Sequence, residues 1–403
     1  MRKFNYEAKD NTTSKVVKAT VQAESENEAA KLLVAQGFTP LNIKEADSDD
    51  NAWSRFTSRV TTKDKVIFTR QLSTLIAAGL PLSQSLRTLV DQTQNRRLKG
   101  VIQELIASIE GGKSLHDSFA KHPDVFDKLF LALVAAGEAS GTLDEALQRV
   151  ATQQEKDAAI TSKIKGAMTY PVIVMVVIIG VMAFMLFTVV PQVEKLYVDL
   201  KQELPLVTQI IVSISQFLTQ FWWVVVGVLL IGAYLLAQYI KTVPGQRSMD
   251  SLKLSAPVFK NLFQRLYMAR FARTGQTLLN TGVSMLDMLA ISSEAVNNSI
   301  IAAEIDRAAE KVKGGKDLSA ALSVEAHVPQ LVPQMIRVGE KSGRVDEMMG
   351  KTANIYENEL DEEINSLSTA IEPVLMVVLA LVAGGMVAAI LLPIYSLVNT
   401  LQV

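Results

Sequence analysis

Nineteen consecutive residues, Val172–Val190, carry no charge, and a proline stands on either side of them, Pro171 and Pro191. At 1.5 Å rise per residue such a run makes a helix of roughly 28 Å, about the thickness of a bilayer core. Thirteen of the nineteen are Val, Ile, Leu or Phe, and these alone favour insertion by on the order of 4 to 8 kcal/mol. The arrangement returns 202 positions later as Pro373, the uncharged run Val374–Leu392, and Pro393. Such a chain is a membrane protein. The equal spacing says that a soluble module and the span attached to it occur twice.

A third uncharged run, Phe221–Ile240, opens with Trp222-Trp223 and closes near Tyr239, which fits an aromatic belt at the headgroups. The apolar fraction of the 403 residues, 49%, is ordinary; its concentration in three runs leaves much of the mass outside the bilayer. With 40 basic and 41 acidic residues there is no global pull toward nucleic acid or an acidic substrate. The absence of cysteine removes disulfides, thiolate nucleophiles and Cys-ligated metals. The N-terminus, MRKFNYEAKDNTT, has no apolar core, so it is not expected to act as a signal peptide, and the first module is expected to stay in the cytoplasm.

The expected fold class is mainly α: a polytopic membrane protein with two homologous six-helix cytoplasmic bundles and three transmembrane helices, preceded by a small α+β unit. Residues 1–46 supply that unit, because Phe4/Tyr6/Ala8 and Val17/Ala19/Val21 alternate like half-buried strands around the turn-forming Asp10-Asn11-Thr12. Ser25-Glu26-Asn27-Glu28 opens a helix as a capping box, and Leu41–Ile43 is a third strand candidate. An acidic linker over 47–60 follows. Residues 61–170 then switch to helical period, with stripes Phe68/Leu72/Leu75/Ile76 and Leu98/Ile102/Leu105/Ile109 punctuated by Gly79-Leu-Pro81, Gly111-Gly112, Pro123 and Gly141. The last helix begins at the capping pattern Thr142-Leu-Asp-Glu145 and leads to the first span, 171–190. An external loop, 191–220, is expected to hold an amphipathic helix at the interface through Leu206, Ile210, Ile214, Phe217 and Phe221. The second span is 221–240, the second bundle 241–372, the third span 373–392, and 393–403 an external tail.

The duplication is visible residue by residue. Phe68, Arg70, Thr74, Leu75, Gly79 and Leu86 recur 203 positions on as Phe271, Arg273, Thr277, Leu278, Gly282 and Leu289. Gly111-Gly-Lys-Ser-Leu115 recurs at the same offset as Gly314-Gly-Lys-Asp-Leu318, and Gly137-Glu-Ala-Ser-Gly141 recurs at 202 as Gly339-Glu-Lys-Ser-Gly343. Matched spacing over a hundred residues marks a repeated structural unit.

These residues resemble the platform proteins of type IV pilus assembly and type II secretion, the GspF/PilC family. The likeness lies in Phe68–Gln71, Ala78-Gly79-Leu80-Pro81, both Gly-Glu-x-Ser-Gly turns, Tyr170-Pro171, Leu204-Pro205-x-x-Thr208 and Glu372-Pro373. The second copy departs slightly, with Ala272-Arg-Thr274 and with Arg344 in place of Thr142. The resemblance implies a non-enzymatic inner-membrane scaffold without a cofactor. It links a cytoplasmic assembly ATPase to pilin or pseudopilin subunits, beside other inner-membrane assembly proteins and as a homo-oligomer. The rival class is an oligomeric transporter or channel with cytoplasmic regulatory domains. Against it, the three spans contain no Asp, Glu, Lys, Arg or His, whereas an ion-coupled transporter or an intramembrane protease usually needs ionisable groups there.

Few residues carry chemistry. Lys113 follows Gly111-Gly112 in a pattern reminiscent of a phosphate loop, but Ala107 stands where that motif needs glycine, and the second copy has Asp317 in place of the hydroxyl. A helix-terminating turn is the better reading. His116, His122 and His327 show no ligand spacing. The structural or interaction candidates are Gly137, Glu138 and Gly141, their counterparts Gly339, Glu340 and Gly343, and the span-entry prolines Pro171 and Pro373. The two carboxylates are either partner contacts or cation ligands, or they accept backbone N–H bonds in a Gly-hinged helix corner; the corner is favoured because both copies need it. Asp361-Glu-Glu363 reads as a solvated helix face. Pro171 and Pro373 each permit a bend where a long helix enters the bilayer, so motion of a bundle would pass along a rod into its span.

Lys and Arg number two in Pro191–Gln220 and six in Lys241–Arg270, which puts the second stretch in the cytoplasm and the first outside. Reporters fused at positions 60 and 300 should therefore give cytoplasmic signals and one at 200 an external signal. A cytoplasmic signal at 200 would end the three-span topology.

Overall fold

The computed structural model describes residues 2–10, 16–23, 26–35, 38–45, 59–199, 206–257 and 259–401. Asn11, Thr12, Ser25, residues 47–58 of the expected linker, and Leu204-Pro205 lie outside these residues. By its contacts the chain separates into two units, residues 1–65 with 86–107 and residues 66–85 with 108–403.

Within the first unit, strands β1 (Arg2–Asp10), β2 (Val16–Ala23) and β3 (Phe38–Glu45) form an antiparallel sheet of order β2-β1-β3, with helix α1 (Glu26–Ala35) between β2 and β3 in sequence. The register sets Phe4 opposite Val21, Tyr6 opposite Ala19 and Ala8 opposite Val17, so the two alternating patterns meet residue for residue. The irregularity between Glu7 and Ala8 falls opposite the stretch that ends at Pro40 on the edge strand β3, and edge strands and bulges are where a residue without an N–H donor is tolerated.

Twelve helices build the two copies, six in each. The first copy contains α2 (Thr62–Ala77), α3 (Leu82–Gln92), α4 (Arg96–Glu110), α5 (Leu115–Ala120), α6 (Lys128–Ser140) and α7 (Leu143–Phe184). Asn95 caps α4 by accepting from the N–H groups of Arg97 and Leu98, 3.1 and 3.2 Å away. Four phenylalanines fill the part of this core that lies in the second unit. Phe119, Phe126 and Phe130 have ring centroids 4.5–4.9 Å apart, and Phe68 lies 5.9 Å from Phe126, close enough for favourable edge contacts.

Beyond α7 come one π-helical turn (Met185–Val189), α8 (Val190–Asp199), α9 (Leu206–Lys241) and α10 (Val243–Ser255). The second copy is α11 (Lys260–Leu279), α12 (Met285–Ala295), α13 (Ser299–Lys313), α14 (Leu318–Leu322), α15 (Leu331–Ser342) and α16 (Val345–Leu401). Leu322, Val328 and Val332, all buried, stand where the first copy has Phe119, Phe126 and Phe130.

The prolines do not end the helices. α7 runs through Pro171, α8 through Pro191, and the 57-residue α16 through both Pro373 and Pro393. A proline removes one N–H donor and crowds one carbonyl, while a bilayer penalises every further free backbone group, so the helix continues. The loop expected over 191–220 is likewise largely helical. Within the range given for α9, the amphipathic segment and the following apolar run are two helical pieces that meet at a kink, where Phe221 leaves helical geometry at φ −117°, ψ 23°. In the π turn the Leu186 carbonyl accepts a hydrogen bond from Ser215 Oγ of α9, satisfying a group released by the irregular ladder.

Three helical segments are long and apolar enough to cross a membrane, Leu143–Asp199, Thr208–Lys241 and Val345–Ala388, and at most 6% of each apolar window is buried. The spans therefore present their side chains outward rather than to one another. Val176, Trp223 and Val374 are each exposed by about 60%.

A sharp corner joins α9 to α10. Thr242 Oγ1 donates to the Tyr239 carbonyl and accepts from the Gly245 N–H, 2.7 and 3.2 Å away. A Cβ on Gly245 would meet the Tyr239 carbonyl oxygen at 1.8 Å. Gly245→Ala should destabilise the protein by about 1–3 kcal/mol through overpacking, read as a lower Tm in detergent. An unchanged Tm would show that the corner relaxes freely.

Candidate functional site

Each residue of the Gly-Glu-x-Ser-Gly pattern has a distinct physical task. Gly141 and Gly343 end α6 and α15 at φ 75° and 69°, in the left-handed region that favours glycine. The next N–H groups, of Thr142 and Arg344, return to the carbonyls of Gly137 and Gly339, both at 2.9 Å, the six-to-one bond of a Schellman cap. Gly137 and Gly339 allow the following helix to cross against them. A Cβ on Gly137 would lie 2.6 Å from the Ala146 Cβ, and one on Gly339 2.7 Å from the Val345 Cα. Ser140 and Ser342 donate back to the carbonyls of Ala136 and Val338, at 2.8 and 2.9 Å.

The carboxylates tie each corner to the preceding short helix. Glu138 accepts from the N–H groups of Leu115 and His116 at 2.8 and 3.0 Å, the first turn of α5. Glu340 accepts from the Ser319 N–H at 3.1 Å in α14. An anion there meets helix donors that have no intrahelical partner. No hydrogen bond or ion pair among the described residues joins the two corners. Thr142, expected to cap α7, makes no side-chain cap bond; its hydroxyl instead pairs with Ser140 Oγ at 2.7 Å.

The glycine–lysine turn closes helices in both copies. Lys113 and Lys316 donate their N–H groups to the carbonyls of Ser108 and Lys311, both at 3.1 Å, and Ser114 Oγ caps α5 by accepting from Asp117 N–H. The Lys113 backbone donor is thus spent on a helix terminus. His116 pairs with Asp117, and His327 with the buried Glu304 at 2.7 Å. Among the described residues no His, Cys, Asp and Glu group is arranged to hold a metal.

A second repeated element escaped the motif reading. Arg70 makes a two-point ion pair with Glu155 and touches Thr152. Arg273 pairs with Glu357 at 2.7 and 2.8 Å and touches Asn354 and Gln276. Arg70 and Arg273 are 203 apart, Glu155 and Glu357 202 apart, so asking which charges recur at the repeat offsets would have found both bridges. Each bridge staples a copy's first helix to its long last helix.

Glu357 also reaches the other copy. Lys156 of α7 lies 3.2 Å from it, and Lys163 lies 2.6 Å from Asp361. Lys128 pairs with Glu294. Arg265 takes Glu359 at 3.0 Å and also Glu363. The acidic run at 361–363 is therefore more than a solvated face: two of its three carboxylates are held by cations on α7 and α11. Beside these pairs, α7 and α11 enclose a polar cleft of about 430 Å³ lined by Gln148, Arg149, Thr152, Lys156, Arg273 and Gln276, among others. Burial pushes the Asp157 carboxyl above its usual range, with Asp127 and Glu357 adding to the rise and Arg270 and Gln153 opposing it. Burial alone would raise Glu357 too, but Arg273 and Lys156 outweigh it, and this carboxyl titrates below the usual range.

A depressed carboxyl contributes stability above its unfolded pKa, about 4.3 for Glu, and that stability is lost as pH falls through the folded value. Glu357→Gln should thus lower Tm at pH 7, with the gap to the parent chain closing as pH falls below about 4. A gap independent of pH would assign the loss to packing. At the corner, Glu138→Ala strands two helix donors and should cost about 1–3 kcal/mol. Glu138→Gln, keeping one carbonyl oxygen, should cost less in the same melting experiment.

Comparison with known proteins places this arrangement. Residues 68–191 and 271–393 each match the family model for type II secretion system (T2SS) protein F, and residues 1–44 match the model for its N-terminal domain. The type IV pilus assembly protein PilC of Thermus thermophilus is 37% identical over 99% of both chains. PilC of Myxococcus xanthus is 39% identical over 85% of this chain and 82% of its own. The type II secretion system protein F of Vibrio cholerae is 31% identical over the full length of both. The two family matches cover the two halves that share glycine corners and Arg–Glu staples, and the chain belongs to the type II secretion system protein F family.

Proposed function

We propose that this chain is a non-enzymatic inner-membrane platform of a type IV pilus or type II secretion machine. Its two six-helix bundles, which follow a small α+β N-terminal unit in the chain, lie in the cytoplasm, three spans cross the membrane, and the C-terminus is outside. A cytoplasmic assembly ATPase docks on the bundles, and pilin or pseudopilin subunits are handled beside the spans. Full-length similarity to proteins named for pilus assembly and type II secretion supports the machine. The observation that carries the mechanical part is helix continuity: α7 and α16 each run from a glycine corner into an apolar segment without a break at Pro171 or Pro373.

A stiff helix transmits a tilt or rotation along its axis, and the Arg–Glu staples bind each rod to its bundle. Lys156–Glu357 and Lys163–Asp361 couple the two rods, so a displacement imposed on one bundle reaches both spans. The chain itself contributes positioning, and the work comes from nucleotide hydrolysis by the partner.

Two glycines inserted between Lys165 and Gly166 lie below the inter-rod ion pairs and cost about 2 kcal/mol of helix propensity. The variant should insert in the membrane and co-purify with the machine's ATPase, while pilus extension or secretion falls at least tenfold. Full output would show that the rods transmit nothing and that the platform is a passive anchor.

A further inference from the structure

Just above the bilayer, α7 and α16 separate enough to leave a cleft of about 490 Å³ lined by Lys163, Gly166, Ala167 and Tyr170 on one side and Asp361, Ile364, Asn365 and Ser368 on the other. Gly166 and Ala167 create the space, since a Cβ added at Gly166 would meet nothing within 4 Å. Buried Ile364 forms part of the wall. Counting helical rise from Pro171 and Pro373, Gly166 and Ser368 each lie about 7.5 Å above the hydrocarbon boundary and Lys163 about 12 Å. The polar layer of a bilayer leaflet is about 5–8 Å deep, so the cleft begins at headgroup level and is roofed just beyond it.

Its chemistry is dipolar. One ammonium, Lys163 Nζ, and one carboxylate, Asp361, face each other at 2.6 Å across the roof and sum to zero charge. The Asn365 amide and the Tyr170 hydroxyl have no hydrogen-bond partner among the described residues, while Ser368 Oγ donates to the Ile364 carbonyl at 2.9 Å and keeps its lone pairs. Below the cleft the exposed faces of both spans continue, with Val172 and Ile173 on α7 and Val374 and Val377 on α16 each more than half exposed. The remaining N–H bonds of Lys163, the Asn365 amide and the Tyr170 hydroxyl suit an anionic group, the remaining lone pairs of Asp361 suit a cation, and the apolar faces beneath suit acyl chains.

We propose that this cleft binds the headgroup of a zwitterionic aminophospholipid, phosphatidylethanolamine. The phosphate accepts hydrogen bonds from Lys163 Nζ, the Asn365 amide and the Tyr170 hydroxyl, and the terminal ammonium donates to Asp361. The lipid thus enters the Lys163–Asp361 pair as a matched second pair, and its chains fill the groove between the rods. A singly anionic headgroup would meet Lys163 but leave Asp361 facing a negative neighbour, which disfavours it. This site rests on the reading that α7 and α16 enter the bilayer near Pro171 and Pro373.

The test is native mass spectrometry of the full-length chain in detergent after exposure to equal amounts of phosphatidylethanolamine and phosphatidylglycerol with identical acyl chains. One phosphatidylethanolamine per chain should be retained with at least fivefold enrichment, and glycerophosphoethanolamine, which lacks the chains, should not displace it. Asp361→Asn should reduce the enrichment below twofold. Gly166→Leu, which fills the cleft, should abolish retention, and Gly166→Ala should preserve it. Equal retention of the two lipids, preference for phosphatidylglycerol, or undiminished retention in Gly166→Leu would overturn the proposal. If Gly166→Leu fails to fold, the Asp361→Asn enrichment decides alone. A chain that stays monodisperse without detergent would overturn the membrane topology itself, whereas a detergent-dependent chain retaining no lipid would overturn only the site.

Discussion

A single carboxylate, Glu357, answers two cations from the two halves of the molecule. Arg273 grips it through two nitrogens from the first helix of its own copy, and Lys156 approaches from the last helix of the other copy. At 20% side-chain exposure Glu357 is desolvated enough for both partners to matter and wet enough to remain charged. A bidentate Arg pair has directional strength that an isolated surface lysine lacks. The tie therefore joins the two copies where the long helices α7 and α16 run side by side. The equivalent staple in the first copy, Arg70–Glu155, is more exposed, at 35% and 42%, and no cross-copy lysine pairs with it among the described residues.

The glycine corners solve a different problem. A helix must reverse and recross its neighbour within a few residues, and then continue as a rod more than 40 residues long. One glycine supplies the left-handed turn, another the close approach, and the glutamate between them satisfies the first donors of the preceding short helix. Sequence divergence elsewhere is accommodated by repacking. Aromatic Phe119, Phe126 and Phe130 give way to Leu322, Val328 and Val332, yet Glu340 still accepts an N–H from the first turn of α14, as Glu138 accepts two from that of α5. The backbone geometry, more than the core side chains, is what the two copies share.

Several features visible as residue types took their meaning from neighbours distant in the chain. Pro171 and Pro373 read locally as places where a long helix can bend, and both stand inside continuous helices, since loss of further backbone bonds is expensive in an apolar surrounding. Asp361 and Glu363 read locally as solvent-facing charges and are engaged by Lys163 and Arg265. Thr142 stands at a capping position but turns its hydroxyl to Ser140. Phe221, where the apolar pattern passes from an amphipathic piece to an uncharged run, stands at a kink between two helical pieces.

By itself the sequence determined three segments long and apolar enough to cross a membrane, the duplication and the helix count of each copy, because these rest on periodicity, charge exclusion and equal offsets, all local or internal to the chain. Its glycine spacing also located both corners, since a left-handed turn has few alternatives to glycine. Only the tertiary structure decided which charges pair, that Lys156 and Glu357 join the copies, and that a polar cleft opens between α7 and α16. Those outcomes depend on how two helices some 200 residues apart are placed and rotated, and the period of either helix taken alone leaves that rotation open.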